Sequence, residues 1–217
     1  MLLFLKSISR TVHHYHEEEK VYKKNNNFNQ EGACISLTVW TKSLVFSCKG
    51  FTVIGSDGSL VYRVDNYTGR PDQIILMDGS GNPIFTLCRR KKLGIMDNYW
   101  LVYEGEVGKI GTNSSKKPIF SARKNIRIMK TKPSVLAYVY GTGVSEKGHV
   151  YTIEGSYVHR SCKILDESRR VVSEIKKKEA LTGGVSFGLE VFDLIVNPGI
   201  DSRFAMAIVL LLDQMFS

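Results

Sequence analysis

Arginines and lysines gather at three places in this chain, and the chemistry they could perform is the capture of an anion. The first group is Arg89-Arg90-Lys91-Lys92. Four adjacent charges put two on each face of a strand, so a strand is expected to end or fray there. The second group is Lys116, Lys117, Arg123, Lys124, Arg127, Lys130 and Lys132, with no acidic residue between its first and last members. On an extended segment the two-residue period brings Arg123, Asn125 and Arg127 to one face. Guanidinium groups placed there could clamp a phosphate, because each offers paired donors. The third group, Arg169, Arg170 and Lys176 to Lys178, has Glu174 and Glu179 among its bases and reads as the solvated rim of a hairpin.

Catalytic patterns are missing from the sequence. It has no nucleophile elbow, no His-Glu-x-x-His, no Walker loop and no zinc spacing. Gly141-Thr-Gly143 lacks the third glycine of a dinucleotide loop and reads as a turn. His149 and His159 have no partner at sequence level and read as structural. His13, His14 and His16 stand in a polar stretch and are assigned no chemistry. Cys34, Cys48, Cys88 and Cys162 show no C-x-x-C spacing, so they read as small core residues of a reducing compartment. The expectation is a non-enzymatic protein without catalytic residues, metal or cofactor.

The overall charge agrees with an anionic partner. Thirty basic against 21 acidic side chains leave a formal charge of +9. That balance favours nucleic acid, an acidic protein or the anionic cytoplasmic leaflet. Single-strand readers usually add stacking platforms. Only Tyr99, Trp100 and Tyr103 lie near a basic group, and alternation sends one or two of them to the core, so nucleic acid ranks below lipid. Met1-Leu-Leu-Phe-Leu5 is stopped by Lys6, short of a signal peptide's apolar core, which points to an intracellular chain.

Residues 1–32 lack a sustained apolar period and read as a flexible leader. From Ile35 the texture becomes strand-like, with β-branched and aromatic runs such as Leu37-Thr-Val-Trp40, Leu44-Val-Phe46 and Phe51-Thr-Val-Ile54. Turns built on Asp57-Gly58, Asp78-Gly79 and Asp166-Glu-Ser168 separate paired runs of this kind. Many short strands at regular spacing indicate a sandwich or a barrel. Phe204 to Leu212 is apolar on every face, with Asp201 or Ser202 placed to cap it as a helix. A membrane span needs roughly 20 apolar residues, so this helix is too short for one. It must be enclosed by protein instead, which favours a barrel wrapped around it.

Several of these segments together resemble the plant LURP-one-related family, a branch of the tubby-like superfamily that also includes the phospholipid scramblases. They are Leu37-Thr-Val-Trp-Thr-Lys-Ser43, Phe51 to Gly58, Val61-Tyr-Arg-Val-Asp-Asn66, Ile75 to Gly79, Gly81-Asn-Pro83, Thr86-Leu-Cys-Arg-Arg-Lys-Lys92, Trp100 to Gly105 and the tail from Asp201. The likeness covers residues 33–217. It implies a closed antiparallel β-barrel of about twelve strands around a central C-terminal helix. Tubby relatives bind phosphoinositide headgroups through basic side chains on barrel strands and act as membrane-tethered transcription regulators. Carried onto this chain, the resemblance makes Arg89, Arg90, Lys91 and Lys92 lipid-binding candidates, with Arg89 and Lys91 as the basic-x-basic pair. Arg123, Lys124 and Arg127 join them from the charge pattern. The expected protein is a monomer of the cytoplasm, plasma membrane surface or nucleus. It would bind a phosphoinositide or another anionic phospholipid and serve in signalling or transcription, in plant defence. The alternative is a protein-interaction module with a signalling partner and no lipid site.

Overall fold

The computed structural model describes residues 32–66, 73–90, 99–108, 116–125, 135–141, 149–179 and 187–217. In chain order they form β1 (Ile35–Trp40), β2 (Lys49–Ile54), β3 (Leu60–Asn66), β4 (Gln73–Asp78), β5 (Pro83–Arg90) and β6 (Tyr99–Glu104). Then follow β7 (Phe120–Lys124), β8 (Val135–Gly141), β9 (Tyr151–Ser156), β10 (Ser161–Leu165), β11 (Val171–Lys177), β12 (Val191–Val196) and the helix α1 (Ser202–Phe216). Each strand pairs antiparallel with the next. β1 closes the ring on β12, from Ile35 opposite Val196 to Trp40 opposite Val191. The result is a closed barrel of twelve strands with no free edge.

Alternation along each strand decides what faces inward. Leu37 and Val39, Phe51 and Val53, Leu76, Leu87, Trp100, Val102, Ile153, Phe192 and Leu194 all join one core cluster. That core is filled by α1, whose residues from Ala205 to Leu212, and Met215, are buried. An apolar stripe on one side would suit a helix lying on a sheet. A helix apolar all round suits only an axis enclosed by the sheet.

Polar contacts fix both ends of that axis. Asp201 is the N-cap, and its Oδ1 accepts from the backbone N–H of Arg203 at 2.8 Å. The Tyr62 hydroxyl lies 2.7 Å from Ser202 Oγ at the same end. At the other end the Tyr157 hydroxyl donates to Asp213 Oδ1 at 3.1 Å. Burial holds both phenols above their ordinary pKa, so both remain protonated donors or acceptors. Phe204 packs against Phe120 and Tyr151 at centroid distances of 5.1 and 4.9 Å.

Three hairpins at the end carrying the helix N-terminus use one device. Asp57, Asp78 and Asp166 each accept a backbone N–H from the far side of their turn, from Ser59, Asn82 and Arg170. Each turn then passes through a positive φ, at Gly58, Gly81 and Arg169. A register shift follows in each of the three strand pairs, the extra residue that a bulged turn requires.

The fold corrects some local expectations. Leu44-Val-Phe46 is a loop rather than a strand, because Ser43 is buried against Asp65 and Ser47 adopts φ +64°. Cys34 is exposed and Cys48 half-exposed, since both lie outside the strands at barrel ends; only Cys88 and Cys162 are core residues, and all four are free thiols. The third basic group is divided by β11. Arg169 and Arg170 sit on the turn before that strand, whereas Lys176 and Lys177 lie at its far end, about 20 Å away by strand rise. No described helix is long and apolar enough to cross a membrane. The strand expected around Ile126-Arg-Ile128 lies outside the described residues.

Candidate anion-binding surface

Strand direction brings Arg90, Arg123 and Lys124 to one end of the barrel, whereas Lys116, which bonds the Glu104 and Glu106 carbonyls, and the turn carrying Arg169 and Arg170 lie at the other. β5 ends at Arg90 and β7 ends at Lys124, with the antiparallel β6 beginning at Tyr99 between them. This is the end at which α1 terminates, as the contact from Lys124 to the helix C-terminus shows. The register then aligns four outward-facing side chains across neighbouring strands. Arg90 pairs with Tyr99, Tyr99 with Arg123, and Arg123 with Tyr138. Two strand spacings separate the arginines, about 10 Å at Cα, a width one multiply phosphorylated headgroup can span. Arg90 and Arg123 are exposed, and neither makes an ion pair with a described carboxylate. The Arg123 guanidinium lies 5.7 Å from the centre of the Tyr99 ring, which orients the cation without neutralising it. His149 packs against Tyr138 at 4.8 Å and extends the aromatic side of the row.

The remaining candidates are placed differently. Arg89 is half-buried, opposite the buried Trp100 on the inward-facing period of β5, so it does not share the outer face with Arg90. Lys124 shares the inward period of Phe120 and Ala122. Its Nζ donates to the Met215 carbonyl and stands 4.2 Å from the centre of the Phe216 ring. A cation at that point satisfies a carbonyl left open by the end of the helix and opposes the negative end of its dipole. Lys91, Lys92 and Arg127 lie outside the described residues. The basic-x-basic pair Arg89 and Lys91 is therefore described at its first member only.

The rest of the third basic group is largely neutralised. Arg169 forks onto Glu154, Arg170 bonds Asp166, Lys176 pairs with Glu174, and Lys178 with Asp193. The pairs of Arg169, Arg170 and Lys176 have solvent-exposed basic partners and small energetic weight, whereas the Lys178–Asp193 pair is part-buried and shares the ammonium with Thr38 Oγ1.

Sequence reasoning missed one feature of the same barrel end. An open depression of about 390 Å³ is lined by Thr41, Lys42, Cys48, Lys49 and the helix residues Asp213 and Gln214, among others. Lys42 and Lys49 fell outside the three groups because each stands alone in sequence. Pairing of β1 with β2 brings both to the depression beside the helix end. The Asp213 carboxylate there is engaged by Tyr157 and by the Ser217 hydroxyl. No group of three or more potential metal ligands occurs among the described residues.

The sequence model of the LURP-one-related family matches residues 35–213. Protein LURP-one-related 17 of Arabidopsis thaliana is 48% identical over the whole of both chains. Protein LURP-one-related 8 of the same plant is also 48% identical, across 91% of this chain and 97% of its own length. A crystal structure of an Arabidopsis thaliana protein superposes with a TM-score of 0.59 at 21% identity, covering 83% of this chain and 90% of the other. At that identity the superposition speaks for the fold alone.

Proposed function

Because the chain belongs to the LURP-one-related family, we propose that it is an intracellular, monomeric binding protein of that family which docks on anionic phospholipid, a phosphoinositide headgroup above all. No enzymatic step is assigned to it. The observation that carries this reading is the row Arg90, Tyr99, Arg123 and Tyr138, in which two exposed guanidiniums flank one tyrosine without a described carboxylate partner. Two arginines at this spacing can take separate phosphates of one headgroup, with tyrosine hydroxyls available as further donors. Lys91, Lys92 and Arg127 are proposed as lipid-binding residues from the charge pattern of the sequence alone. The consequence would be a membrane-tethered signalling or transcription-related factor serving plant defence.

The test is co-sedimentation with neutral, phosphatidylserine and phosphoinositide vesicles at low and physiological salt. The expected result is salt-resistant binding to a phosphoinositide. Reversing Arg90 and Arg123 to glutamate should weaken that binding by on the order of a thousandfold, since the two reversals change the charge by four units and each charge near the surface contributes roughly 1 kcal/mol. The melting temperature should be unchanged, because both side chains are exposed. Undiminished binding by the double variant would sink the assignment. Binding lost at physiological salt would reduce the net charge to background and favour a protein-interaction module with no lipid site.

A further inference from the structure

We infer that the barrel end at which α1 terminates also inserts an apolar wedge, built on Leu44, Phe46, Val158 and Leu189, into the headgroup region of an anionic bilayer. The inference rests on the anionic-lipid reading above and adds a separate source of affinity to it. Apolar side chains this exposed on a basic protein require an account. Phe46 is 95% exposed, Leu44 54%, Val158 57% and Leu189 44%.

These residues stand on three connections that converge at one sector of the rim. Leu44 and Phe46 lie on the β1–β2 loop, Val158 on the β9–β10 turn, and Leu189 just before β12. The backbone N–H of Thr41 donates to the Glu190 carbonyl at 2.8 Å, joining the first connection to the third. Arg160 Nε donates to the Leu189 carbonyl at 2.8 Å, joining the second to the third. Arg160 itself is held between the rings of Tyr157 and Phe192, at 4.2 and 4.5 Å. The three tips therefore share one scaffold.

Local structure presents the tips outward. Ser43 is buried, its hydroxyl held by Asp65, and that oxygen accepts the Val45 N–H at 2.9 Å. Thr52 Oγ1 donates to the Lys42 carbonyl at 2.7 Å. A bond from the Cys48 N–H to the Val45 carbonyl at 3.2 Å then closes a turn with Phe46 and Ser47 at its corners. The anchors face the barrel and the two large apolar side chains face away from it.

Charge selects the occupant. Lys42 and Lys49 flank the first tip and are exposed. β11 lies between β10 and β12, so its exposed terminal Lys177 falls between Val158 and Leu189. Separate convex tips bordered by Lys42, Lys49 and Lys177, which outnumber the exposed carboxylates Glu179 and Glu190 of the same rim, suit a soft surface carrying phosphates. Lysine stems can lie along the apolar boundary with their ammonium groups among the headgroups. Both arginines of the proposed headgroup row lie at this same end, so one orientation, with the helix C-terminus toward the bilayer, satisfies wedge and row together.

The test uses the full chain carrying Phe46→Trp, with the signal of the parent protein subtracted. The vesicles are phosphatidylcholine–phosphatidylserine with or without brominated acyl chains. The added tryptophan should shift to shorter wavelength on binding and be quenched by the brominated lipid. A Leu44→Ser/Phe46→Ser protein should melt like the parent and bind these vesicles about tenfold or more weakly, at both low and physiological salt, because apolar transfer is not screened. Vesicle binding without shift or quenching would overturn the wedge and leave the headgroup reading standing. Absence of vesicle binding by the parent would overturn both. Unaltered vesicle affinity in the serine variant, with loss of a specific protein partner, would overturn the wedge in favour of protein docking.

Discussion

Lys124 and Arg123 are adjacent bases from one cluster, and replacing each with methionine should have opposite consequences. Methionine keeps an unbranched apolar stem of similar reach, so packing over Phe216 survives in Lys124→Met while the charge is lost. The change removes a charge-assisted bond to the Met215 carbonyl, on a residue only 5% exposed. A bond to a charged group contributes about 1.5–3 kcal/mol. The cation over Phe216 at 4.2 Å contributes roughly 0.5–2 kcal/mol. Opposition to the helix dipole contributes a further ~0.3–1 kcal/mol. All three act through the same ammonium group and overlap, which sets the expected loss at about 2–3 kcal/mol. At roughly 2–4 °C per kcal/mol for a domain of this size, Lys124→Met should melt about 5–10 °C lower. Arg123→Met, on the outer face, should melt within a degree or two of the parent and lose vesicle affinity instead. The assay is paired thermal melts with vesicle co-sedimentation of both variants. If Lys124→Met melts with the parent and loses as much vesicle binding as Arg123→Met, then Lys124 is a surface charge and its placement under the helix is refuted.

The capping carboxylate gives a second expectation. Asp201→Ala should cost about 1 kcal/mol of stability, the usual size of a lost N-cap. Hydrogen bonding to Arg203 holds the Asp201 carboxyl below its ordinary pKa. Its contribution is then complete above the unfolded value of about 4 and lost as pH falls through the folded one. Urea melts at neutral and strongly acidic pH should show the gap between parent and Asp201→Ala closing in acid; an equal gap at both would exclude the cap's ionised role. The thiols should fall into two classes. Exposed Cys34 should react rapidly with a thiol reagent in the folded protein, while Cys162, pushed up to about 11 by burial, should react only on unfolding. Rapid titration of Cys162 in the folded protein would show that the barrel opens locally between β9 and β11.

Sequence reading captured what depends on a residue and its near neighbours. The two-residue period of Leu37 and Val39, or of Phe192 and Leu194, assigns a core face whatever the partner strand. The aspartates at 57, 78 and 166 make turns through bonds that span at most four residues. The helix from Ser202 is apolar on every side, and that property alone demands enclosure. Together with the family likeness, these local facts carried the barrel and its axial helix.

The candidate site was only partly legible, because its geometry depends on register and closure. Lys124 looked like one more member of a basic run. Its role follows from a helix end 91 residues away in sequence. Arg90 and Arg123 became partners through the pairings of β5 with β6 and β6 with β7. Sequence counted Leu44-Val-Phe46 as a strand because β-branched and aromatic residues favour one. The buried Ser43 anchor and the left-handed Ser47 decided otherwise. Composition and periodicity, being local, determined the elements and their inner faces. Only ring closure and strand register, which act across tens of residues, decided which charges meet, which are consumed by the helix end, and which apolar tips share a rim.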